Sequence, residues 1–167
     1  DKPTVWAPHN ANGYFTGAQM PLKSAFAQSI NSVAVRLGME VGISNVARTA
    51  HAMGIQSPLH ETKSLSLGSS DVTLLELVNS YCTVIDEGKY NMPILVTKIL
   101  DRDGKVIYDA KLRETQAIPY RSAYLMQTML RAGLTERGGT TAALWEYIHP
   151  VLQYTEFGGK TGTSNNH

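Results

Sequence analysis

Along the first third of the chain, apolar positions recur at helical intervals. In Pro21 to Gly38, PLKSAFAQSINSVAVRLG, residues Leu22, Phe26, Ile30, Val33 and Leu37 fall near one face, with the period of an amphipathic helix. Pro21 suits a first turn and Gly38 a stop, and the stretch reads as two helices with a break. Gly42 to Met53 repeats the pattern, with Ile43, Val46, Ala50 and Met53 on one side and Gly54 placed to end it. Thr73 to Glu87 opens on Thr73-Leu74-Leu75-Glu76, a capping box in which hydroxyl and carboxylate satisfy free backbone N–H groups. Gly88 is expected to close that helix in the left-handed conformation. The period then changes. ILVTKILDRDGKVIYDAK reads as two strands joined at Asp103-Gly104, a strong hairpin signal. Ser122 to Ala132 predicts another helix, and Glu156 to Thr163 a final glycine-bearing strand. The result is a mixed α/β (α+β) chain, richer in helix than in strand. No repeat or linker separates its parts, so residues 1–167 are expected to lie in one domain.

Composition narrows the class without naming a function. With 43% hydrophobic and 17% charged residues and a formal net charge of +1, the chain has an ordinary globular composition. Lysines and arginines are scattered and form no basic run, so nucleic acid is not an expected partner. No apolar run approaches the roughly 20 residues that span a bilayer, so this segment is not expected to contact a membrane. Cys82 is the single cysteine, which excludes an internal disulfide; in an apolar helical stretch it is expected to be a small core residue. The chain starts at Asp1 with no signal segment ahead of it, and is expected to be a stretch of a longer protein.

The chemistry gathers at two places. The first is Gly158 to Ser164, GGKTGTS. A phosphate loop would need a glycine five positions before the Gly-Lys pair, where Tyr154 stands, so a nucleotide site is not expected. On a strand, Lys160 would project to one face and Thr161 and Thr163 to the other, with Gly162 leaving the backbone bare for an extended peptide. The two hydroxyls could then hold a carboxylate while Lys160 raises the local positive potential. The competing reading is a glycine-rich turn carrying a solvated lysine.

The second place is Gln28 to Ser32, QSINS. On an unbroken helix Ser29 and Asn31 would lie about 200° apart and could not serve one site. At a bend they can share a face, with Ile30 turned inward. Serine can then pass a proton, and asparagine can donate to a carbonyl and accept from an N–H. Equally, Ser29 or Asn31 could simply cap the following helix, a role both types favour.

Taken together, Ser-x-Asn and Lys-Thr-Gly-Thr match two of the three signatures of the serine acyltransferases that react with penicillin. WAPHNANGYFTGAQMPLKSAFAQSINSVAVRLGMEVGI resembles the transpeptidase domain of class A, bifunctional penicillin-binding proteins, including the Trp6-x-Pro8-x-Asn10 lead-in and the Leu22-Lys23-x-Ala25 approach to Ser29. SLSLGSSDVTLLELVNSYCTVIDEG resembles the family's next helical segment, and ERGGTTAA its glycine-threonine turn. The resemblance runs through essentially the whole chain.

That resemblance implies the penicillin-binding, serine beta-lactamase-like transpeptidase fold, here incomplete, and a D,D-transpeptidase that cross-links peptidoglycan. Its partners would be stem peptides ending in D-Ala-D-Ala and beta-lactams, with no cofactor. It also implies the periplasmic face of the cell membrane, with an anchor and a glycosyltransferase domain outside this segment. Carried over by position, Ser29 would relay a proton, Asn31 would position the substrate amide, and Lys160 would tune Ser29. Thr161 and Thr163 would hold the substrate carboxylate beside Gly162. The Thr163 N–H would supply half of an oxyanion hole, a donor worth about 3 kcal/mol in a transition state.

The third signature is missing. The nucleophile should stand in Ser-x-x-Lys, and no serine or threonine here has lysine three positions on. Family order places it upstream of Asp1, so this chain alone is expected to be inactive toward penicillin. The alternative is a noncatalytic domain of the same fold that binds peptidoglycan peptides or a beta-lactam. If the last strand lacks a neighbour, its edge favours dimerisation.

Other motifs lead nowhere. His9, His51, His60, His149 and His167 show no pair at helical metal-ligand spacing, so no metal site is expected. DRDGK lacks the rest of a calcium loop.

Overall fold

A computed structural model of the chain describes residues 6–11 and 13–163. Ser164, the end of the GGKTGTS stretch, lies outside the described residues, as do Asp1 and His167. Contacts gather the chain into two compact units. The first holds the described residues of Asp1–Ala47, Leu59–Ser70 and Leu125–His167; the second holds Arg48–Pro58 and Asp71–Tyr124.

In the first unit the broken helical stripe is two helices, α1 (Leu22–Ala27) and α2 (Asn31–Val41). Gly38 is not the stop that its position suggested. Helix α2 runs through it to Val41, and Gly42 takes the positive φ of 88°. Gly38 is instead a packing site: a Cβ there would overlap Ser66 Oγ of the short 3-10 helix Lys63–Leu67. The side that packs also differs from the stripe. Ala25, Ala27 and Val35 are buried while Leu22 and Leu37 are exposed, because small residues let α1 and α2 approach their neighbours closely. Helix α3 (Ile43–Ala52) follows, and its part up to Ala47, which is buried, lies in this unit. Further along the chain, the part of α5 (Tyr120–Thr135) from Leu125 onward buries Leu130, Ala132 and Leu134 in this unit.

The second unit is built on α4 (Leu74–Ile85). Its capping box forms as expected: Thr73 Oγ1 accepts from the Glu76 N–H at 3.3 Å, and a Glu76 oxygen accepts from the Thr73 N–H at 2.9 Å. At the other end both Glu87 (φ 54°) and Gly88 (φ 87°) are left-handed. Helix α4 turns Thr83 and Val84 inward. Cys82 lies one step round the helix and is exposed, which corrects the expectation of a core thiol. Two antiparallel pairs of strands complete the unit. One is the expected hairpin, β2 (Lys98–Leu100) with β3 (Val106–Asp109), and the other is β1 (Lys89–Asn91) with β4 (Glu114–Gln116). In the hairpin loop Gly104 takes φ 82°, and Asp101 Oδ1 accepts from the N–H groups of Asp103 and Lys105 at 2.9 and 2.8 Å. The DRDGK carboxylate thus closes a turn.

The final strand does not form. Residues 156–163 have no ladder partner and are irregular. Their backbone docks on helix α5: the Gly159 N–H donates to the Leu130 carbonyl at 3.1 Å, and Gly158 lies against the Leu130–Arg131 backbone too closely for a side chain to fit comfortably. A helix face offers single hydrogen bonds where a sheet edge would offer a row.

Candidate active site

The two chemical stretches meet in the first unit. Lys160 Nζ donates to Ser29 Oγ at 2.7 Å across 131 positions of sequence. It also reaches the Thr161 carbonyl at 3.0 Å and the Thr161 hydroxyl at 3.5 Å, and lies 5.9 Å from the centre of the Phe26 ring, a cation-π distance.

Local backbone geometry makes the meeting possible. The N–H groups of Gln28, Ser29 and Ile30 fold back onto the carbonyls of Ser24, Phe26 and Ala25, which closes α1. Ser29 then takes φ 55°, a left-handed conformation that costs a side-chain-bearing residue roughly 1–2 kcal/mol. Such strain concentrates where function needs a particular direction. Here it marks the break between α1 and α2, where the Ser29 hydroxyl meets Lys160.

Neither Ser29 nor Asn31 caps α2. The cap position is Ile30, without a side-chain cap bond, and the N–H of Ser32 is satisfied by Asn10 Oδ1 at 3.0 Å. Asn10 is 7% exposed, and its Nδ2 donates to the Tyr14 carbonyl at 2.8 Å. Beside it, Asn31 Nδ2 donates to the His9 carbonyl at 2.8 Å. The Trp6-x-Pro8-x-Asn10 lead-in is therefore the strap that seats the start of α2. Asn31 faces this strap, and its hydrogen bond runs there rather than to Lys160.

The alternation expected of the tail does not hold. Lys160 and Thr161 were to project to opposite faces, yet the ammonium reaches the Thr161 hydroxyl, because the segment is irregular and free of strand pleat. Thr161 Oγ1 in turn donates to Thr140 Oγ1 at 2.8 Å. Gly162 has open space where a Cβ would sit, and Thr163 is exposed. Thr140, Phe26 and Asn10 join the candidate site, although no site role was expected of them from sequence. The buried asparagine of the lead-in and the threonine after Gly138-Gly139 were visible only as parts of longer blocks.

Electrostatics give the arrangement its direction. Desolvation by partial burial lowers the pKa of Lys160 from its ordinary 10.5. The hydrogen-bond acceptors named above are all neutral, and among the described residues no carboxylate pairs with it. A half-buried ammonium facing hydroxyls and a bare glycine backbone is suited to an anion. With Nζ donating to Ser29 Oγ, the Ser29 hydroxyl hydrogen is free to be passed elsewhere.

The chain is similar to known penicillin-binding proteins in sequence and in fold. The family model described as penicillin binding protein transpeptidase domain matches residues 1–166. Penicillin-binding protein 1B of Vibrio cholerae is 30% identical over 164 residues, covering 98% of this chain and 20% of that protein. Penicillin-binding protein 2D of Bacillus subtilis is 28% identical over 165 residues, covering 98% of this chain and 24% of that protein. The chain thus spans about a fifth to a quarter of the length of these relatives. In fold it is similar to the crystal structure of penicillin-binding protein 1A from Haemophilus influenzae, with a TM-score of 0.76 at 24% identity over 99% of this chain and 30% of that one. It is also similar to penicillin-binding protein A of M. tuberculosis in its penicillin G acyl-enzyme complex, with a TM-score of 0.64 at 23% identity over 78% of this chain and 35% of that one. Sequence, fold and the meeting of Ser29 with Lys160 lead to one assignment: the chain belongs to the penicillin-binding-protein transpeptidase family.

Proposed function

We propose that this chain supplies the substrate-gripping wall of a serine-type D,D-transpeptidase that cross-links peptidoglycan stem peptides, within one transpeptidase domain that includes both contact units. The observation that carries the reading is the 2.7 Å hydrogen bond between Lys160 and Ser29, which joins the two family signatures. The single family model over residues 1–166 supports the single domain.

In this reading a serine of a Ser-x-x-Lys segment outside the 167 residues attacks the penultimate D-alanine carbonyl while the lysine of that segment takes its proton. Ser29, held by Lys160, passes its hydroxyl proton to the leaving nitrogen of the terminal D-alanine and takes a replacement from that lysine, so the amine leaves neutral and the nucleophile's proton is accounted for. The acyl group then moves to an amine of a second strand. Asn31 orients the substrate amide through its carboxamide. The hydroxyls of Thr161 and Thr163 hold the substrate carboxylate, Gly162 lets the backbone come close, and the Thr163 N–H shares the oxyanion charge. Beta-lactams acylate the same nucleophile. The reaction would take place outside the cytoplasm, with a membrane anchor elsewhere in the protein; among the described residues no helix is long and apolar enough to cross a membrane. Pairing of two copies through a strand edge at residues 156–163 would require that segment to leave helix α5, and a monomeric mass by light scattering at all concentrations would exclude it.

Labelled penicillin tests the reading. The full-length protein should form a covalent adduct and the 167-residue chain alone should form none. Ser29→Ala should slow acylation about 100-fold or more, the usual size of a lost proton-transfer group. Unchanged rates would remove Ser29 from the mechanism. A full-length protein that forms no adduct yet still binds a labelled stem peptide would support the noncatalytic binder instead.

A further inference from the structure

Thr140 is tied to both halves of the site and has no role in the reading above. Its backbone N–H donates to the Ala27 carbonyl at 3.0 Å, two residues before Ser29. Its hydroxyl accepts from Thr161 at 2.8 Å. The turn that carries it is held closely. The N–H of Thr141 donates to the Gly133 carbonyl at 3.2 Å, and a Cβ on Gly139 would overlap that same carbonyl. Glu136, at the start of the turn, is anchored to α1 by Lys23 at 3.0 Å and Ser24 at 3.4 Å. Thr140 itself is exposed.

The direction of the hydrogen bonds matters. Lys160 faces Thr161 Oγ1 as a donor, and Thr161 donates to Thr140. Each hydroxyl that accepts a hydrogen bond becomes a better donor to the next group. The chain of donors therefore ends on the Thr140 hydroxyl, whose oxygen accepts from Thr161 and whose residue is exposed. With the Thr161 proton turned to Thr140, Thr140 passes that donor on and offers a carboxylate a further hydroxyl beside those of Thr161 and Thr163.

We propose that Thr140 is a carboxylate-binding residue of this site, the terminal donor of a Lys160–Thr161–Thr140 relay that grips the carboxylate of the stem peptide or of a beta-lactam. This rests on the function proposed above and extends its carboxylate subsite beyond the Lys-Thr-Gly-Thr segment. The ligand is recognised by its negative charge, so an analogue without that charge should not sense Thr140.

The test uses the full-length protein, a labelled penicillin, and the methyl ester of the same penicillin. Thr140→Val keeps the branched shape and removes the hydroxyl; Thr140→Ser keeps the hydroxyl. The valine variant should lower the second-order acylation rate with the acid by roughly tenfold, the loss typical of a hydrogen bond to a charged group. The change should lie in the concentration giving half-maximal rate and not in the limiting rate. The serine variant should stay within about twofold of the parent, below the roughly fivefold that 1 kcal/mol would give. The ester should react with all three proteins alike. Should the valine variant fail to fold, Thr140→Ala takes its place. Equal losses with acid and ester would show a structural role and overturn the proposal, as would an unchanged rate with the acid. If the parent forms no adduct, the transpeptidase reading falls and this one with it. If the parent is acylated and Ser29→Ala is impaired while Thr140→Val is not, this proposal alone falls.

Discussion

Two polar clusters in this molecule look alike in composition and differ in what they leave unfinished. In the second unit, Glu76 accepts from the N–H groups of Gln56, Ser57 and Thr73 at 2.8, 2.9 and 2.9 Å, and from the hydroxyls of Ser57 and Thr73 at 2.6 and 2.9 Å. Those donors hold its pKa down to about 2, the Ser57 hydroxyl most strongly. In the first unit, Lys160 meets Ser29 and Thr161 through neutral oxygens, and its burial weakens its hold on the proton. The Glu76 charge is fully answered inside the chain, as a structural clamp requires. Among the described residues the Lys160 charge is not, as the binding role proposed for it requires.

The largest effect expected from breaking this contrast is on Lys160. Lys160→Ala in the full-length protein should reduce acylation by labelled penicillin about 100-fold or more, with little loss of thermal stability, since no ion pair is removed. The sign of the pH dependence follows from the lowered pKa. The unfolded chain holds the lysine proton more tightly, so the desolvation cost is felt below the folded pKa and is relieved as pH rises from there to 10.5. Affinity for carboxylate ligands should fall through that same alkaline window. An alkaline limb that persists in Lys160→Ala would assign it to another group.

Next comes the turn that carries Thr140. Gly139→Ala forces a methyl group onto the Gly133 carbonyl and should cost roughly 1–3 kcal/mol, the usual size of overpacking, together with slower acylation. Denaturant titration and the penicillin assay report the two effects.

Glu76→Gln probes the finished cluster. The carboxylate contributes stability above its ordinary pKa of 4.5, and that contribution is lost as pH falls toward about 2. The variant should therefore melt below the parent at neutral pH and converge with it in acid, while its acylation rate at neutral pH is unchanged. A neutral-pH acylation defect as large as that of Lys160→Ala would erase the distinction. The smallest effect belongs to Gly104→Ala in the hairpin loop, where φ is 82°; about 1 kcal/mol is expected, with no change in acylation.

Local features were readable from sequence to the extent that their partners were local. The capping box of Thr73 and Glu76 spans three residues, and the Asp103-Gly104 hairpin a handful, so residue type and spacing sufficed. Gly38 shows the limit. Its position after an apolar stripe reads as a helix stop, but the residue that decides its role, Ser66, is 28 positions away. Cys82 fails for the same reason: an apolar stretch does not say which arc of α4 finds a neighbour. The last strand was read from composition, yet a strand exists only with a ladder partner, and the described residues offer Gly159 the side of a helix.

Residue order alone gives the Ser-x-Asn and Lys-Thr-Gly-Thr motifs, their resemblance to the penicillin-binding transpeptidases, and the fact that no serine or threonine of these 167 residues has lysine three positions on. Residue identity is enough for such statements. Folding adds that Ser29 breaks its helix at φ 55° and meets Lys160, that Asn10 and not Ser29 satisfies the start of α2, and that Thr140 stands beside Thr161. Each of these depends on hydrogen bonds between segments more than 20 positions apart. Their geometry is set by packing of the intervening chain, which spacing along the sequence does not encode.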